Sequence, residues 1–471
     1  MSFSISDQYE IEMKLGRPTS EFSDFSIDRD IGERRLGLSA GNVKTFFITE
    51  SIHQLVPTVT IQYKSPAPVF QEHYPVIAME PFILTMGKVK KEENIFSEHY
   101  YFSSTKPDDT EAGGLGQNQN VVLKGHHFPI KFLLSGQKAS FSGRISDVVR
   151  EVTDQVDADF DSFIDPTHSQ QKGNWVQPGW SNAKFLNYLT KKAVSNANNF
   201  SDYFLFFRPD DKFYFKNLDS LFSQDRKDDP ISRFEFDLST SGEQNNVMQK
   251  EKRKSRGDPN NQKQSNKIRR FGFENAGMSG LDSGLLGHKT SGFSWNNGEY
   301  ESDQRSLLEY PFHQPLTTRA FYNQNRLLDG DFSTGKENSY VGNTDFSGEV
   351  EGKLKEQIMK ENRDVSRLTI LTGDNTPLSA GDIARVDIYD SGVSGNRQDV
   401  LSGEWLVENR VRFIYGRGEY TQVYKLIRTG INEPDSGEMN DSINERFGQL
   451  KGGSEVNVRS DFGLGSGGVI S

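Results

Sequence analysis

The sequence predicts an α+β fold that is mainly β, with two antiparallel β-barrel domains flanking a small α/β domain and long loops between them. Three observations carry this. Runs of alternating β-branched and aromatic residues recur on both sides of the middle of the chain. Helical runs are concentrated in one stretch, near 141–222. Phenylalanine supplies the apolar area: 34 of them stand in a chain that is only 34% hydrophobic and holds 43 glycines. At 471 residues there is room for roughly two to four domains, each closing its own core.

Residues 1–24 read as an N-terminal arm and 25–140 as the first β domain. Within it, Thr45-Phe46-Phe47-Ile48-Thr49-Glu50 and Thr58-Val59-Thr60-Ile61-Gln62-Tyr63 alternate as strands on either side of Leu55-Val56-Pro57. Phe82-Ile83-Leu84-Thr85-Met86, His99-Tyr100-Tyr101-Phe102, Val121-Val122-Leu123 and Pro129-Ile130-Lys131-Phe132-Leu133-Leu134 extend the series. No helical period interrupts them, which argues a barrel or sandwich. Residues 141–225 form the small α/β domain, with helices at 146–152 and 185–189. Its strands Tyr203-Phe204-Leu205-Phe206-Phe207 and Lys212-Phe213-Tyr214-Phe215 meet at Arg208-Pro209-Asp210-Asp211. That join is turn chemistry, because proline presets φ and aspartate tolerates tight turns.

The second β domain is expected over 226–430, after a charged boundary at 223–230 that ends in proline. Arg233-Phe234-Glu235-Phe236-Asp237-Leu238 and Arg385-Val386-Asp387-Ile388-Tyr389 read as strands, and 403–415 pairs with 420–428 across Gly416-Arg417-Gly418. In that hairpin a period of two places Trp405 and Val407 on one side and Leu406 on the other, so the indole is expected in a core or a subunit seam. Residues 243–304 turn to Gly, Ser, Asn and charge, and read as a long insertion with too little apolar surface to order itself alone. A short amphipathic helix is expected at 347–362 and a flexible C-terminal tail at 431–471.

A formal charge of −11 argues against bulk attraction to nucleic acid or anionic lipid. One local run is basic: Lys250, Lys252, Arg253, Lys254, Arg256, Lys263, Lys267, Arg269 and Arg270. It holds no interleaved aromatic residues for base stacking and reads as a solvated loop, the alternative being a patch for an acidic partner. The absence of cysteine excludes disulfides, thiolate catalysis and zinc–thiolate sites, and fits assembly in a reducing cytoplasm. Met1-Ser2-Phe3-Ser4-Ile5 lacks a basic region followed by an apolar one, and no apolar run reaches membrane-spanning length. Neither a secretion leader nor a membrane anchor is expected.

Asp157-Ala158-Asp159-Phe160-Asp161 begins like a calcium loop, but Ser162 stands where the loop glycine belongs and His168 where the closing glutamate belongs. It therefore reads as a solvated acidic face. His126 and His127 are adjacent and on a strand point to opposite faces, so they do not jointly grip a metal. No Gly-x-Ser-x-Gly elbow, His-Glu-x-x-His helix or phosphate-cradling Gly-x-x-x-x-Gly-Lys loop occurs. The expectation is no catalytic residue, no cofactor and no metal, although two of the 66 acids could still meet in space as a glycosidase pair.

The order of these elements resembles that of phage baseplate hub proteins, a family that includes late-control tail proteins and the hub part of the type VI secretion spike. The resemblance rests on the opening strand pair at 44–63, the 146–152 helix, and the Gln177-Pro178-Gly179-Trp180 lead-in to the 185–189 helix. It also rests on the 203–215 hairpin and the closing strand Leu401-Ser402-Gly403-Glu404-Trp405-Leu406-Val407. It covers about two thirds of the chain, by order of elements more than by invariant letters; 243–304 and the glycine-rich tail depart from it.

What the resemblance implies is a non-enzymatic structural protein with two tail-tube-like β domains per copy, so that a homotrimer presents six to the sixfold tail tube and leaves a threefold face for a central spike. It further implies the tape measure and baseplate wedge proteins as neighbours and DNA passing through the channel without specific binding. The expected place is the virion's contractile-tail baseplate, assembled in the host cytoplasm, with no membrane partner. A tail-tip peptidoglycan hydrolase and a host-surface sugar-binding β protein remain the alternatives.

Overall fold

The computed structural model describes residues 9–15, 34–38, 43–65, 80–88, 91–108, 119–127, 130–133, 136–155, 160–197, 202–224, 233–237, 266–275, 288–294, 299–305, 319–320, 336–343, 366–373, 376, 378–389, 398, 400–415 and 419–431. The first strands are β1 (Tyr9–Leu15), β2 (Arg34–Leu38), β3 (Val43–Ser51), β4 (Thr58–Ser65), β5 (Pro81–Lys88), β6 (Lys91–Asp108) and β7 (Gln119–His126). The α/β segment follows as α1 (Ile130–Leu133), β8 (Gln137–Arg144), α2 (Ile145–Asp154), β9 (Asp161–Ile164), β10 (Lys172–Trp180), α3 (Asn182–Thr190), β11 (Tyr203–Arg208), β12 (Lys212–Asn217) and α4 (Leu218–Phe222). Next come β13 (Arg233–Asp237), β14 (Asn266–Asn275), β15 (His288–Ser294), β16 (Glu299–Arg305), β17 (Arg319–Ala320) and β18 (Lys336–Asn343). The chain closes with β19 (Ser366–Thr372), β20 (Ile383–Tyr389), β21 (Gly403–Tyr415), β22 (Glu419–Arg428) and β23 (Gly430–Ile431).

The protein is mainly β, and one 13-stranded sheet dominates it, in the order β2-β1-β5-β6-β7-β4-β3-β21-β20-β13-β14-β19-β22, with β22 also paired to β21. That last pairing closes β21, β20, β13, β14, β19 and β22 into a ring. The seven strands from β2 to β3 form an open, curled antiparallel ladder among the described residues. Strand β21 belongs to both parts. Its first residues lie opposite β20, while 409–414 run between β22 and β3.

Alternation explains where the cores sit. Phe46 and Ile48 of β3, Val59 and Ile61 of β4, and Phe82, Leu84 and Met86 of β5 turn inward together and bury completely or nearly so. Each such side chain contributes about 1.5–3 kcal/mol of burial. Trp405 and Val407 enter the core of the ring with Leu368, Ile370, Val386 and Leu426, whereas Leu406 packs on the opposite side with Phe206 and Ala380. The facing expected for the 403–407 strand is the one observed.

In the α/β segment, Ile145, Val148, Val149 and Val152 recur at helical spacing and bury one face of α2. Helix α3 is capped by Ser181, whose side chain accepts a hydrogen bond from the Lys184 amide. Both pack with Phe141, Phe185 and the wholly buried β11. The 203–215 hairpin pairs as expected, and β9 adds a parallel third strand to it. The Gln177-Pro178-Gly179-Trp180 lead-in is the end of β10, which pairs with β8; Gly179 there takes φ +72°.

Several expectations need correction. The run from Pro129 to Leu134, expected as a strand, holds the helical turn α1. The Leu133-Leu134 pair breaks the alternation, and Phe132 buries edge-on against Phe207 of the α/β segment, 5.6 Å between ring centroids, instead of joining the first sheet. Within the stretch read as an insertion, β14 is a full member of the ring, held between β13 and β19. Its Ile268, Phe271 and Phe273 supply the apolar contacts that the surrounding composition concealed. Strand β13 pairs in parallel with both β14 and β20, so the second β unit is not purely antiparallel. Strand β1, in the stretch read as an arm, pairs with β2 and β5 and buries Ile11 and Met13. The helix expected at 347–362 and the tail beyond Ile431 lie outside the described residues.

Candidate functional site

The most distinctive chemistry lies where the two β units share β21. Past Val407 the pairing with β22 shifts register, and the inward-facing positions become Arg410, Arg412 and Ile414. Ile414 joins the first sheet's core, and the two arginines fall between the cores. Arg412 is 1% exposed. It donates from both terminal nitrogens to Glu98 of β6, at 2.6 and 2.8 Å, a bidentate pair, and lies 3.0 Å from Glu50 of β3. Arg410 reaches the same Glu50 oxygen at 3.4 Å and donates to the Thr376 carbonyl at 3.0 Å.

Hydroxyls complete the network. Tyr100 donates to Glu98 at 2.5 Å, Gln422 donates to the Tyr420 hydroxyl at 2.8 Å, and the Tyr424 hydroxyl bonds Thr376. Burial pushes the Glu98 carboxyl up, but the Arg412 charge and hydrogen bonds, the Tyr100 hydroxyl and the Arg410 charge together hold it below its ordinary value. Burial works against the Arg412 cation, and Glu98 and Glu50 overcome it and raise its pKa well above normal. Burial also lifts the Tyr424 hydroxyl to about 12. Two acids and two bases thus neutralise one another inside a seam that joins β3, β6, β21 and β22. Such a set fixes register between units, because any slip would strand a buried charge.

The α/β segment is fastened to both β units. Arg208 pairs with Asp382 at 2.8 Å, donates from Nε to the Ala380 carbonyl at 2.8 Å, and stacks 4.2 Å over Tyr214. Gln224 donates to the Gly381 carbonyl, and the Phe207 amide donates to the Leu55 carbonyl at 2.8 Å. His127, at the end of β7, lies 3.2 Å from Asp211 in the β11–β12 turn. In the ring, Arg428 stacks 3.8 Å over Trp405 and donates to the Ser402 and Val400 carbonyls.

The residues weighed as sites from the sequence are only partly described. Asp161 and Ser162 fall on β9, while Asp157 and Asp159 lie outside the described residues. The His168 ring accepts from the Gln170 amide within its own turn. His127 is buried and His126 half-buried. Among the described residues no group of three or more His, Cys, Asp or Glu side chains could hold a metal ion. Of the basic run, Arg269 and Arg270 stand exposed on β14, and 250–265 lies outside the described residues. Sequence reasoning missed the four-charge network altogether; its signal was two arginines sharing one face of a strand otherwise flanked by core residues.

No known protein family matches the sequence, and no curated protein does. Solved structures match its fold. A tail protein from Neisseria meningitidis MC58 superposes with a TM-score of 0.52 at 11% identity, over 90% of this chain and 97% of its own. The 43 kDa tail protein of prophage MuSo2 from Shewanella oneidensis gives 0.52 at 8% identity, over 89% and 98%. A type VI secretion component from E. coli aligns more loosely, with a TM-score of 0.41 at 10% identity, over 83% and 76%. The chain has the fold of these tail proteins, so the resemblance to the hub and tail family drawn from its order of elements holds at the level of fold.

Proposed function

We propose that the protein is a structural component of a phage tail, a baseplate hub whose trimer adapts the sixfold tail tube to a threefold central spike. The observation that carries this reading is the pair of β units held in one chain by a shared strand and a neutral buried charge network. A rigid two-unit subunit turns threefold closure into six positions around a ring. The likeness to two tail proteins across nearly the whole chain supports the same reading.

In this reading the partners are the spike, the tail tube, the tape measure and the wedge proteins, with DNA passing through the channel, and the site is the contractile-tail baseplate, assembled in the host cytoplasm. The protein acts by geometry and catalyses nothing. Domains at 25–140, 141–225 and 226–430 belong to this proposal. Light scattering of the purified chain, alone and with its spike, tests it. A trimer in either sample is expected, and a stable monomer in both would overturn it. Release of muropeptides by the pure protein on a zymogram would favour a hydrolase instead.

A further inference from the structure

The geometry points to a pH-sensitive latch, built from His127 and Asp211, that fastens the α/β segment to the first β unit. His127 is 5% exposed, and its backbone is tied down by a 2.9 Å bond from its amide to the Pro57 carbonyl. Its Nδ1 lies 2.6 Å from the His99 carbonyl of β6, and its Nε2 lies 3.2 Å from Oδ1 of Asp211. A carbonyl oxygen only accepts, so Nδ1 carries a proton. An ionised carboxylate also only accepts, so Nε2 must carry one too. The two contacts together therefore specify the imidazolium: each neutral tautomer satisfies one partner and leaves the other facing a lone pair.

The surroundings are consistent with this. From β6, Glu98 adds negative charge, although Arg412 already pairs with it, and Tyr100 sets its ring edge-on to the imidazole at 5.8 Å between centroids. Burial, with the His127 charge, lowers the pKa of the His99 side chain against the pull of Asp211. Burial and, after it, the Asp211 charge raise the Tyr101 hydroxyl, which stays protonated. On the neighbouring strand position His126 is likewise held towards its neutral form by burial. In the turn, Asp210 is occupied by Lys212 at 2.7 Å, leaving Asp211 as the carboxylate aimed at His127. Burial lowers the pKa of His127, and Asp211 with the His99 carbonyl outweighs it, so the net direction is upward.

Asp211 occupies φ +57° and its carbonyl accepts from the Asp161 amide at 3.2 Å, so the latch reaches β9 through one backbone bond. A group whose folded pKa is raised stabilises the fold fully below its unfolded value, about 6.5. That contribution fades as pH rises through the folded value. The attachment of the β11–β12 turn to β7 is thus firm in mild acid and loosens on the alkaline side.

The test is nitrogen NMR of the full chain labelled with ¹⁵N-histidine, with the His127 signals assigned by their loss in His127→Gln. Both ring nitrogens are expected in the protonated form at pH 6.5, with a midpoint above that of a free histidine. Asp211→Asn keeps the left-handed backbone, which asparagine tolerates, and should move the midpoint downward. In the native protein the Asp161 amide shift should titrate with the same midpoint, and in Asp211→Asn it should not. A neutral His127 tautomer at pH 6.5, or a midpoint that Asp211→Asn leaves in place, would overturn the latch.

Discussion

Replacing Arg412 with methionine removes one of the two cations from the seam and leaves Arg410, which contacts Glu50, as the remaining cation. Arg412 and Glu50 are each 1% exposed along their side chains and Glu98 11%, so solvent cannot take over the lost pairing. Glu98 would keep only the Tyr100 hydroxyl of the partners described for it. Breaking a buried pair in this way costs about 3–5 kcal/mol, because an uncompensated charge stays behind. Pairing the change with Glu98→Leu removes one charge of each sign and returns the seam to neutrality. The double variant should then be less destabilised than the sum of the single ones, with a coupling of about 0.5–3 kcal/mol. Urea unfolding followed by tryptophan fluorescence reads all three variants against the native chain. A cost below about 1 kcal/mol for Arg412→Met, the level of an exposed pair, would refute the description of this network as buried and mutually neutralised.

Three further outcomes follow from the same contacts. Trp405→Ala should cost about 3–5 kcal/mol in the same assay, because the indole fills the ring core and carries the Arg428 guanidinium; an unchanged midpoint would place Trp405 outside the core. Gly381→Ala should destabilise by roughly 1–3 kcal/mol, since Gly381 sits at φ +85° and a Cβ there would come 2.7 Å from the Phe206 ring; a neutral result would show that the α/β contact with the ring yields easily. The lowered pKa of Glu98 means that its contribution is present above its ordinary value, near 4.5, and is lost as pH falls through the folded value. Acid unfolding of Glu98→Gln should therefore take up fewer protons than the native chain, and identical acid profiles would contradict the pairing.

Local chemistry made part of this legible in the sequence. The 403–428 hairpin, the facing of Trp405 against Leu406, and the helix at 146–152 all follow from short-range periodicity, which needs no knowledge of what lies across the sheet. What was hidden depends on long-range pairing. Strand β9 is four residues long and gains its identity from a parallel partner about fifty positions later. Strand β14 looked like loop because only Ile268, Phe271 and Phe273 interrupt its charges and glycine. The site was the least legible part. A period of two places Arg410 and Arg412 on the same face but does not say that this face is inside. That is decided by Glu50 and Glu98, more than 300 residues away. The outward face carries Phe47, 39% exposed, beside Phe413 at 6.1 Å between ring centroids, the reverse of what hydrophobic patterning alone would assign.

Cryo-electron microscopy of the parent tail at its baseplate tests the central claim most directly. The expected map shows three copies in one ring, each contributing two β units so that six positions meet the tube above and three the spike below. A ring of six copies, or a single copy seated off the tail axis, would contradict it.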